Sequence, residues 1–299
     1  MRVLLAGFLA CAALCGCGKE TSGRTPVTLY EVAHSIFYAP QYAAIELGYF
    51  QEEGIDLTLV NGAGADKVMT AMLAGDADIG FMGSEASIYT YVQGAEDYAV
   101  NFAQLTQRAG NFLVARQPDP DFTWQKLKGS RVLGGRAGGM PQMVFEYILK
   151  KNGIDPKTDL TMDQSIQFGL TAAAFTSDQS DYTVEFEPFA TGLELEGNGY
   201  VVASLGTDSG YVPYTAYCAK KSYLAMHPDL IQRFTSALQK GMDYVNSHTA
   251  EEIAKTIQPQ FSETPLENIT KIVKRYQDQD TWKENMIFER SSFELLENI

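Results

Sequence analysis

Cysteine is scarce in this chain of 299 residues, and the four cysteines present are badly placed for disulfides. Cys11, Cys15 and Cys17 fall within the first 17 residues, which leaves Cys218 alone in the rest of the chain. No intrachain disulfide is therefore expected beyond that first region. This excludes the small disulfide-dependent folds that many exported proteins use.

Metal-ligand patterns and basic residues are also in short supply. Three histidines, His34, His227 and His248, lie far apart, and the sequence has neither HExxH nor CxxC spacing, so we expect no metal site. Lys and Arg total 23 against 37 Asp and Glu, a formal net charge of −14. Nucleic-acid binding is excluded because it needs a basic surface that neutralises phosphates. There is no G-x-S-x-G motif either, so nothing supports a serine hydrolase.

The amino-terminal stretch "MRVLLAGFLACAALCGCGKE" does have a pattern. One positive charge, Arg2, precedes an apolar run and then small residues, which is typical of a secretory signal over residues 1–16. The run is shorter than the roughly 20 apolar residues that span a bilayer. "LCGC" resembles a bacterial lipobox, which implies lipidation of Cys17, followed by a polar tether over 17–26. We therefore expect a lipid anchor on the extracytoplasmic face of the cell membrane, with a plain cleaved signal as the alternative.

Short apolar runs alternate with helical patterns along the rest of the chain, which is 45% hydrophobic. This βαβα order predicts an α/β fold with two parallel-rich sheets flanked by helices. The composition changes at "RQPDPDFTWQKLKGS" and again at "TDSGYVPYTAYCAKK". We predict that the chain crosses between two lobes there, with 27–115 and 213–299 in lobe I and 116–212 in lobe II. Two crossings imply a two-strand hinge and a cleft between the lobes.

Ligands of open α/β sheets bind at the carboxyl ends of the strands, so residues that follow strands are the candidates. In lobe I these residues follow the first and third strands: His34, Phe37, Tyr38, Ser84 and Glu85. The alternatives are that the two aromatics pack a helix against the sheet and that Ser84 is a helix N-cap.

The glycine-rich stretch "LGGRAGGMPQ" follows the first strand of the predicted lobe II. It resembles a loop that cradles an anion, and it makes Gly138 and Met140 candidates. Arg136 in the same loop could hold a carboxylate or phosphate. A solvated surface arginine in an ordinary turn is the alternative.

Two charged residues complete the predicted site. Glu187, in "YTVEFEP", needs a partner when buried, and an arginine, a helix N-terminus or a ligand N–H would serve. Arg108 lies near the first crossing, where it pairs with Glu31 or Glu85 or else faces the cleft.

Three stretches carry a family resemblance: "EVAHSIFYAPQYAAIELGYFQEEGIDLTL", "MLAGDADIGFMGSEA" and "EFEPFA". They resemble the substrate-binding lipoproteins of ABC importers, in the group that includes aliphatic-sulfonate, taurine, nitrate and thiamine-pyrimidine binders. The resemblance implies a type II periplasmic-binding-protein fold, a small-molecule ligand and ABC permease partners. In pyrimidine-binding relatives a carboxylate of this region accepts from the ligand's amino group, and the resemblance gives that role to Glu187.

Aromatics mixed with carboxylates favour a small amino-substituted heteroaromatic ligand, such as a thiamine pyrimidine precursor, because flat rings stack on aromatic side chains. A sulfonate, taurine or nitrate ligand is the alternative. A pyrimidine-synthase-like enzyme is the rival class, but the chain lacks its cysteine-rich iron motif, so we expect neither an enzyme nor a cofactor. We expect a monomer that closes on its ligand and then docks on the permease, or else a chemosensory protein of the same fold.

Overall fold

The computed structural model describes residues 23–167, 169–177 and 179–299. The predicted signal peptide and the lipidation site Cys17 lie outside these residues. None of the helices in the described part combines the length and the apolar character needed to cross a bilayer.

Ten strands form the framework of the described chain. They are β1 Thr25–Glu31, β2 Ile55–Asn61, β3 Ile79–Gly83, β4 Ala99–Thr106, β5 Phe112–Ala115, β6 Arg131–Leu133, β7 Thr161–Asp163, β8 Tyr182–Glu185, β9 Tyr200–Ser204 and β10 Thr215–Lys220.

The α-helices connect these strands and make up most of the described carboxyl-terminal part. They are α1 Ala39–Glu46, α2 Tyr49–Glu52, α3 Ala65–Ala74, α4 Glu85–Val92, α5 Met140–Lys151, α6 Thr171–Ser177, α7 Phe189–Leu195, α8 Leu205–Ser209, α9 Lys221–Met226, α10 Pro228–Ser247, α11 Ala250–Ile257, α12 Leu266–Asp278 and α13 Arg290–Asn298. Short 3₁₀ turns cover Ile36–Tyr38, Trp124–Leu127 and Gln258–Phe261.

The strands form two five-stranded sheets with the same plan. The orders are β2-β1-β3-β10-β4 and β7-β6-β8-β5-β9. β1 pairs in parallel with β2 and β3, and β6 pairs in parallel with β7 and β8. One strand in each sheet, β10 or β5, runs antiparallel to both neighbours. We call the first sheet with its helices lobe I and the second lobe II. The predicted pair of sheets in an α/β fold is confirmed, but each sheet is mixed, with two parallel and two antiparallel pairings.

The first crossing lies earlier than the predicted boundary at 115/116. β5 Phe112–Ala115 pairs with β8 and β9 of the second sheet, so its assignment to lobe I is wrong. The chain leaves lobe I after Thr106 and returns to it at Thr215. The proline-rich composition change that suggested the boundary follows β5, because prolines avoid ladder positions inside a sheet.

A segment near the carboxyl end pairs with the first crossing, which is in turn hydrogen-bonded to the second. The backbone N–H of Gln107 donates to Thr281 O at 2.9 Å, and that of Val212 donates to Gln107 O at 2.9 Å. Thr106 also forms an antiparallel bridge with Trp282. The hinge therefore has a third backbone segment that the sequence did not predict.

Lobe I is built around the long helix α10. Its buried residues Leu230, Phe234, Leu238 and Met242 recur every four positions and form one apolar stripe. The helix packs closely on α1, since a Cβ added at Gly241 would lie 2.2 Å from the carbonyl oxygen of Pro40. This packing holds α1 and the turn before it in place at the end of β1.

Candidate functional site

A cavity of about 210 Å³ lies between the two lobes. Its lining comes from the carboxyl ends of β1, β3 and β8, from the glycine-rich loop before α5, and from both crossings. This is the position that the topology predicts for a ligand site. The charged residues of the lining in the described chain are Asp66, Glu85, Arg136 and Glu185.

Aromatic side chains form much of the cavity wall. The aromatic lining residues are Tyr38, Phe186, Phe189 and Tyr214. Tyr38 is 2% exposed, packs edge-on against Phe81 with ring centroids 4.5 Å apart, and is hydrogen-bonded to the Thr215 side chain. This network fixes the Tyr38 ring but leaves little of it open to the cavity, whereas Phe189 is 41% exposed and can present its ring to a flat molecule.

Glu85, at the first position of α4, is the most unusual group of the wall. Its side chain is buried, and Oε2 has no hydrogen-bond partner among the described residues. Burial raises the pKa of Glu85 to about 7, although the backbone N–H groups of Glu85 and Met140 act in the opposite direction. A buried oxygen without a hydrogen-bond partner costs free energy, so the folded protein holds this carboxylate at a cost.

Asn111, in the first crossing, provides a second unsatisfied group. It is 1% exposed, and its Oδ1 accepts a hydrogen bond from the Tyr214 hydroxyl. That bond leaves Nδ2 as a donor with no partner within the described ranges. Sequence reasoning missed Asn111, although an asparagine next to the apolar run "FLVA" is a usable signal.

Glu185, at the end of β8, also lines the cavity but is satisfied within the protein. Its Oε2 accepts from Thr171 Oγ1 at 2.9 Å, and its Oε1 accepts from Thr183 Oγ1 at 2.6 Å. Burial raises its pKa to about 7. Sequence reasoning chose Glu187 instead, two residues further on.

The glycine-rich loop approaches lobe I through a two-pronged ion pair. Arg136 Nη1 and Nη2 donate to Asp66 Oδ1 and Oδ2 at 2.8 and 3.2 Å. Gly138 has φ of +82°, a conformation that favours glycine, and its N–H donates to Gln142 Oε1. The loop thereby brings Gly138 and Met140 to the cavity wall, as predicted.

Other predicted site residues lie behind the wall. His34 Nδ1 is 2.7 Å from Glu31 Oε1, and its Nε2 is 2.9 Å from the Gln260 carbonyl. Burial alone would lower the pKa of His34, but these two contacts outweigh burial and raise it. Phe37 is fully buried among aromatic rings, against the backbone of Gly110.

Ser84 and Arg108 also make contacts within the protein. The Ser84 hydroxyl donates to the Pro213 carbonyl and makes no N-cap hydrogen bond. Arg108 Nη1 donates to the Gly206 carbonyl at 3.2 Å, and its guanidinium lies 4.3 Å from the ring centroid of Tyr211. It pairs with neither Glu31 nor Glu85, because Asp280 is the carboxylate nearest to it, at 3.9 Å.

Glu187 is likewise engaged by the protein. Its carboxylate accepts from the Thr191 N–H and hydroxyl, each at 2.9 Å, and from Arg275 Nη1 at 2.5 Å. Burial raises its pKa, and Arg275 opposes that shift. Two of its three expected partners, an arginine and a helix N-terminus, are therefore present.

Five predicted site residues do not line the cavity, so their positions do not support direct contact with a ligand. They are His34, Phe37, Ser84, Arg108 and Glu187. Four predicted residues do line it: Tyr38, Glu85, Gly138 and Met140. The strand ends that the sequence singled out border the cavity, but the sequence did not separate the residues that line the cavity from those behind its wall.

Comparison with known sequences adds a family match. A family model described as "NMT1/THI5 like" matches residues 36–252. A Bacillus subtilis (strain 168) protein named "Putative binding protein YtlA" is 44% identical over 287 residues, which is 96% of this chain and 86% of that protein. The 4-amino-5-hydroxymethyl-2-methylpyrimidine phosphate synthase of Legionella pneumophila is 25% identical over 239 residues, 77% of this chain and 72% of the enzyme.

Comparison with solved structures addresses the fold. The alkanesulfonate-binding protein SsuA from Xanthomonas axonopodis pv. citri, bound to MOPS, matches with a TM-score of 0.72 and 16% identity. The match covers 91% of this chain and 89% of that one. It confirms the expected type II periplasmic-binding-protein fold.

Proposed function

Because the chain belongs to the NMT1/THI5-like family, we propose that it is an extracytoplasmic substrate-binding protein of an ABC importer, which captures a small amino-substituted heteroaromatic solute between its lobes. The proposal is supported by the two-lobed fold and by the 44% identical relative, whose name describes a binding protein. A lipid anchor at Cys17, action as a monomer and docking on permease subunits belong to the same proposal.

The observation that carries the ligand class is a pair of buried, unsatisfied groups in an aromatic wall. Asn111 Nδ2 is a free donor and Glu85 Oε2 a free acceptor within the described chain. A ring nitrogen beside an exocyclic amine offers the complementary acceptor and donor. The ring itself would stack on Phe189, the most exposed aromatic of the wall, a contribution of about 1–3 kcal/mol.

An enzyme of the pyrimidine-synthase kind is the less favoured candidate. The sequence match to such an enzyme, at 25% identity, is much weaker than the match to the binding protein. Beyond residue 17 the sequence has one cysteine, Cys218, so that part of the chain cannot supply a cysteine-rich iron motif. Capture and delivery of a solute need only the cavity and the hinge.

The first test needs no assumption about the ligand. The full chain is purified from its native host, denatured, and the released small molecules are identified by mass spectrometry. Isothermal titration with aminomethylpyrimidines, riboflavin, taurine and nitrate then ranks the ligand classes. We expect an aminomethylpyrimidine to bind with micromolar or better affinity. Binding of taurine or nitrate alone would overturn the proposed ligand class.

A further inference from the structure

Lobe II presents two positive features to the cavity. One is the N-terminus of α5, a helix of 12 residues whose first residue, Met140, lines the cavity. The other is Arg136 in the loop that leads into this helix. A helix N-terminus carries partial positive charge and free N–H groups, so the two features together would make an anion site.

Each positive feature is met by a carboxylate from lobe I. Asp66, in the first turn of α3, occupies both outer nitrogens of Arg136. The Glu85 carboxylate interacts with the backbone N–H of Met140 at the start of α5. The protein therefore supplies its own anions where an anionic ligand would bind.

The position of the Glu85 carboxylate depends on its neighbour Gly83. A Cβ added at Gly83 would lie 2.1 Å from Glu85 Oε2 and 2.6 Å from Oε1. The absence of a side chain at 83 lets the carboxylate fold back against the strand end while it stays buried. Oε2 lacks a protein partner in the described ranges and is shielded from solvent, so no protein donor offsets the charge at this oxygen next to the cavity.

We infer that Glu85, assisted by Asp66, determines the charge selectivity of the cavity by excluding anionic solutes and accepting uncharged or cationic ones. The inference rests on the proposed function as a solute-binding protein, and it extends to any uncharged or cationic ligand with an N–H donor. Glu185 is a third carboxylate on the wall, but both of its oxygens are held by threonines. Glu185 therefore adds negative charge to the wall, but neither of its oxygens is free to interact with the start of α5.

The test measures whether anion binding appears when the internal anions are removed. Methanesulfonate and nitrate are titrated at pH 8, above the pKa of Glu85, into the wild type, Glu85→Ala, Glu85→Gln, Asp66→Asn and the double variant Glu85→Ala/Asp66→Asn. The matched control is Glu185→Gln, which removes a carboxylate of the same cavity. Circular dichroism checks that each protein is folded.

We expect no methanesulfonate binding by the wild type at millimolar concentration. The affinity of the double variant for methanesulfonate should be at least about tenfold higher than that of the wild type, because removing a like charge at close range is worth this much. Each single variant should gain less affinity than the double variant. The Glu185→Gln control should gain less than either change at position 85. Micromolar anion binding by the wild type would overturn the inference, as would a folded double variant without a gain or an equal gain in the control.

The result separates this inference from the proposed ligand class. Failure of aminomethylpyrimidines to bind the wild type counts against the heteroaromatic proposal. Gain of anion binding in the variants supports the charge rule whether or not those pyrimidines bind. If the double variant does not fold, Glu85→Gln and Asp66→Asn decide the matter separately, since a missing gain in both contradicts the rule.

Discussion

The cavity wall and the layer behind it contain the same kinds of residue but differ in whether their buried polar groups are hydrogen-bonded. We call the layer behind the wall the rear cluster, which consists of Glu31, His34, Phe37, Glu187 and Arg275. In the rear cluster each buried carboxylate is satisfied: Glu31 accepts from Gln41 and Tyr42, each at 2.8 Å, and Glu187 accepts from Thr191 and Arg275. In the wall, Glu85 Oε2 and Asn111 Nδ2 have no partner in the described chain.

The difference separates the cavity wall from the rear cluster by hydrogen bonding. A buried polar group is costly unless it is hydrogen-bonded, and most buried polar groups in proteins are. Burial and residue type are alike in the two regions, so neither distinguishes them. The wall differs from the rear cluster in its unmet hydrogen-bonding capacity, although Gln104 Oε1 and Arg108 Nε, outside the cavity lining, are also buried without a partner among the described residues.

Replacement of Arg275 should disrupt the rear cluster and lower the unfolding free energy more than any other change proposed here. Arg275→Met leaves the buried Glu187 carboxylate without its cation, which costs about 3–5 kcal/mol of unfolding free energy. Thermal denaturation should show a midpoint lower by roughly 10 °C, at about 2–4 °C per kcal/mol. The matched control is Lys274→Ala on the same helix, whose ion pair with Asp278 is exposed. A midpoint equal to that of the control would contradict the structural role of Glu187.

Ionisation of the two buried carboxylates of the wall should lower the unfolding free energy as the pH rises. An ion-paired surface carboxylate has the opposite effect. Burial raises the pKa of Glu85 and of Glu185 to about 7 from 4.5, so the folded state holds these protons more tightly than the unfolded state. Their contribution to the unfolding free energy therefore falls as the pH rises from about 4.5 to about 7 and is level above that range.

Glu85→Gln removes one of these two contributions. At pH 8 the variant without ligand should be more stable than the wild type by on the order of 2 kcal/mol, and at pH 4 the two should be nearly equal. Urea denaturation at both pH values measures this difference. Subtracting one protein from the other cancels groups such as His34 that titrate in the same range. An unchanged difference between pH 4 and pH 8 would show that Glu85 is not buried in the ligand-free protein.

Asn111→Ala should separate binding from stability. The variant loses the donor Nδ2, and an aminomethylpyrimidine that depends on it should bind about tenfold more weakly. The Tyr214 hydroxyl also loses its acceptor, so the unfolding free energy should fall by about 1 kcal/mol. Titration calorimetry and urea denaturation measure the two effects, with Lys274→Ala as the control for binding. Equal affinity of the variant and the wild type would remove Asn111 from the site.

The ion pair at the cavity should give the smallest effect on stability. Arg136 and Asp66 are 36% and 55% exposed, and such pairs contribute about 0–1 kcal/mol. Asp66→Asn should therefore leave the thermal midpoint almost unchanged, in contrast to Arg275→Met. A midpoint several degrees lower would mean that this pair is as structural as the rear cluster.

Much of the architecture was predictable because local patterns agree with the fold. The alternation of apolar runs and helical stretches indicates two α/β lobes, and it placed β1 and β3 correctly. β5 was assigned to the wrong lobe because its partners, β8 and β9, are distant in sequence. The segment around Thr281 was also missed, since a single backbone segment that pairs with a hinge has no periodic signal.

The candidate site was predictable as a place but not as a set of atoms. Strand ends located Tyr38, Glu85, Gly138 and Met140. The choice between Glu185 and Glu187 failed because it depends on Arg275, which is remote in sequence and lies on another element. Asn111 was missed because its hydrogen bonding depends on Tyr214, which is remote in sequence. The Tyr214 hydroxyl donates to Asn111 Oδ1 and leaves Nδ2 unpaired in the described chain.

The central position of β10 has a consequence for how the molecule is assembled. β10 lies between β3 and β4, yet it is made after every strand of lobe II. A chain that emerges from its amino end can therefore complete lobe II while the sheet of lobe I still has a gap in the middle. Two strand edges stay open in the nascent protein until Thr215–Lys220 arrives, and during that interval they are the surfaces most exposed to aggregation.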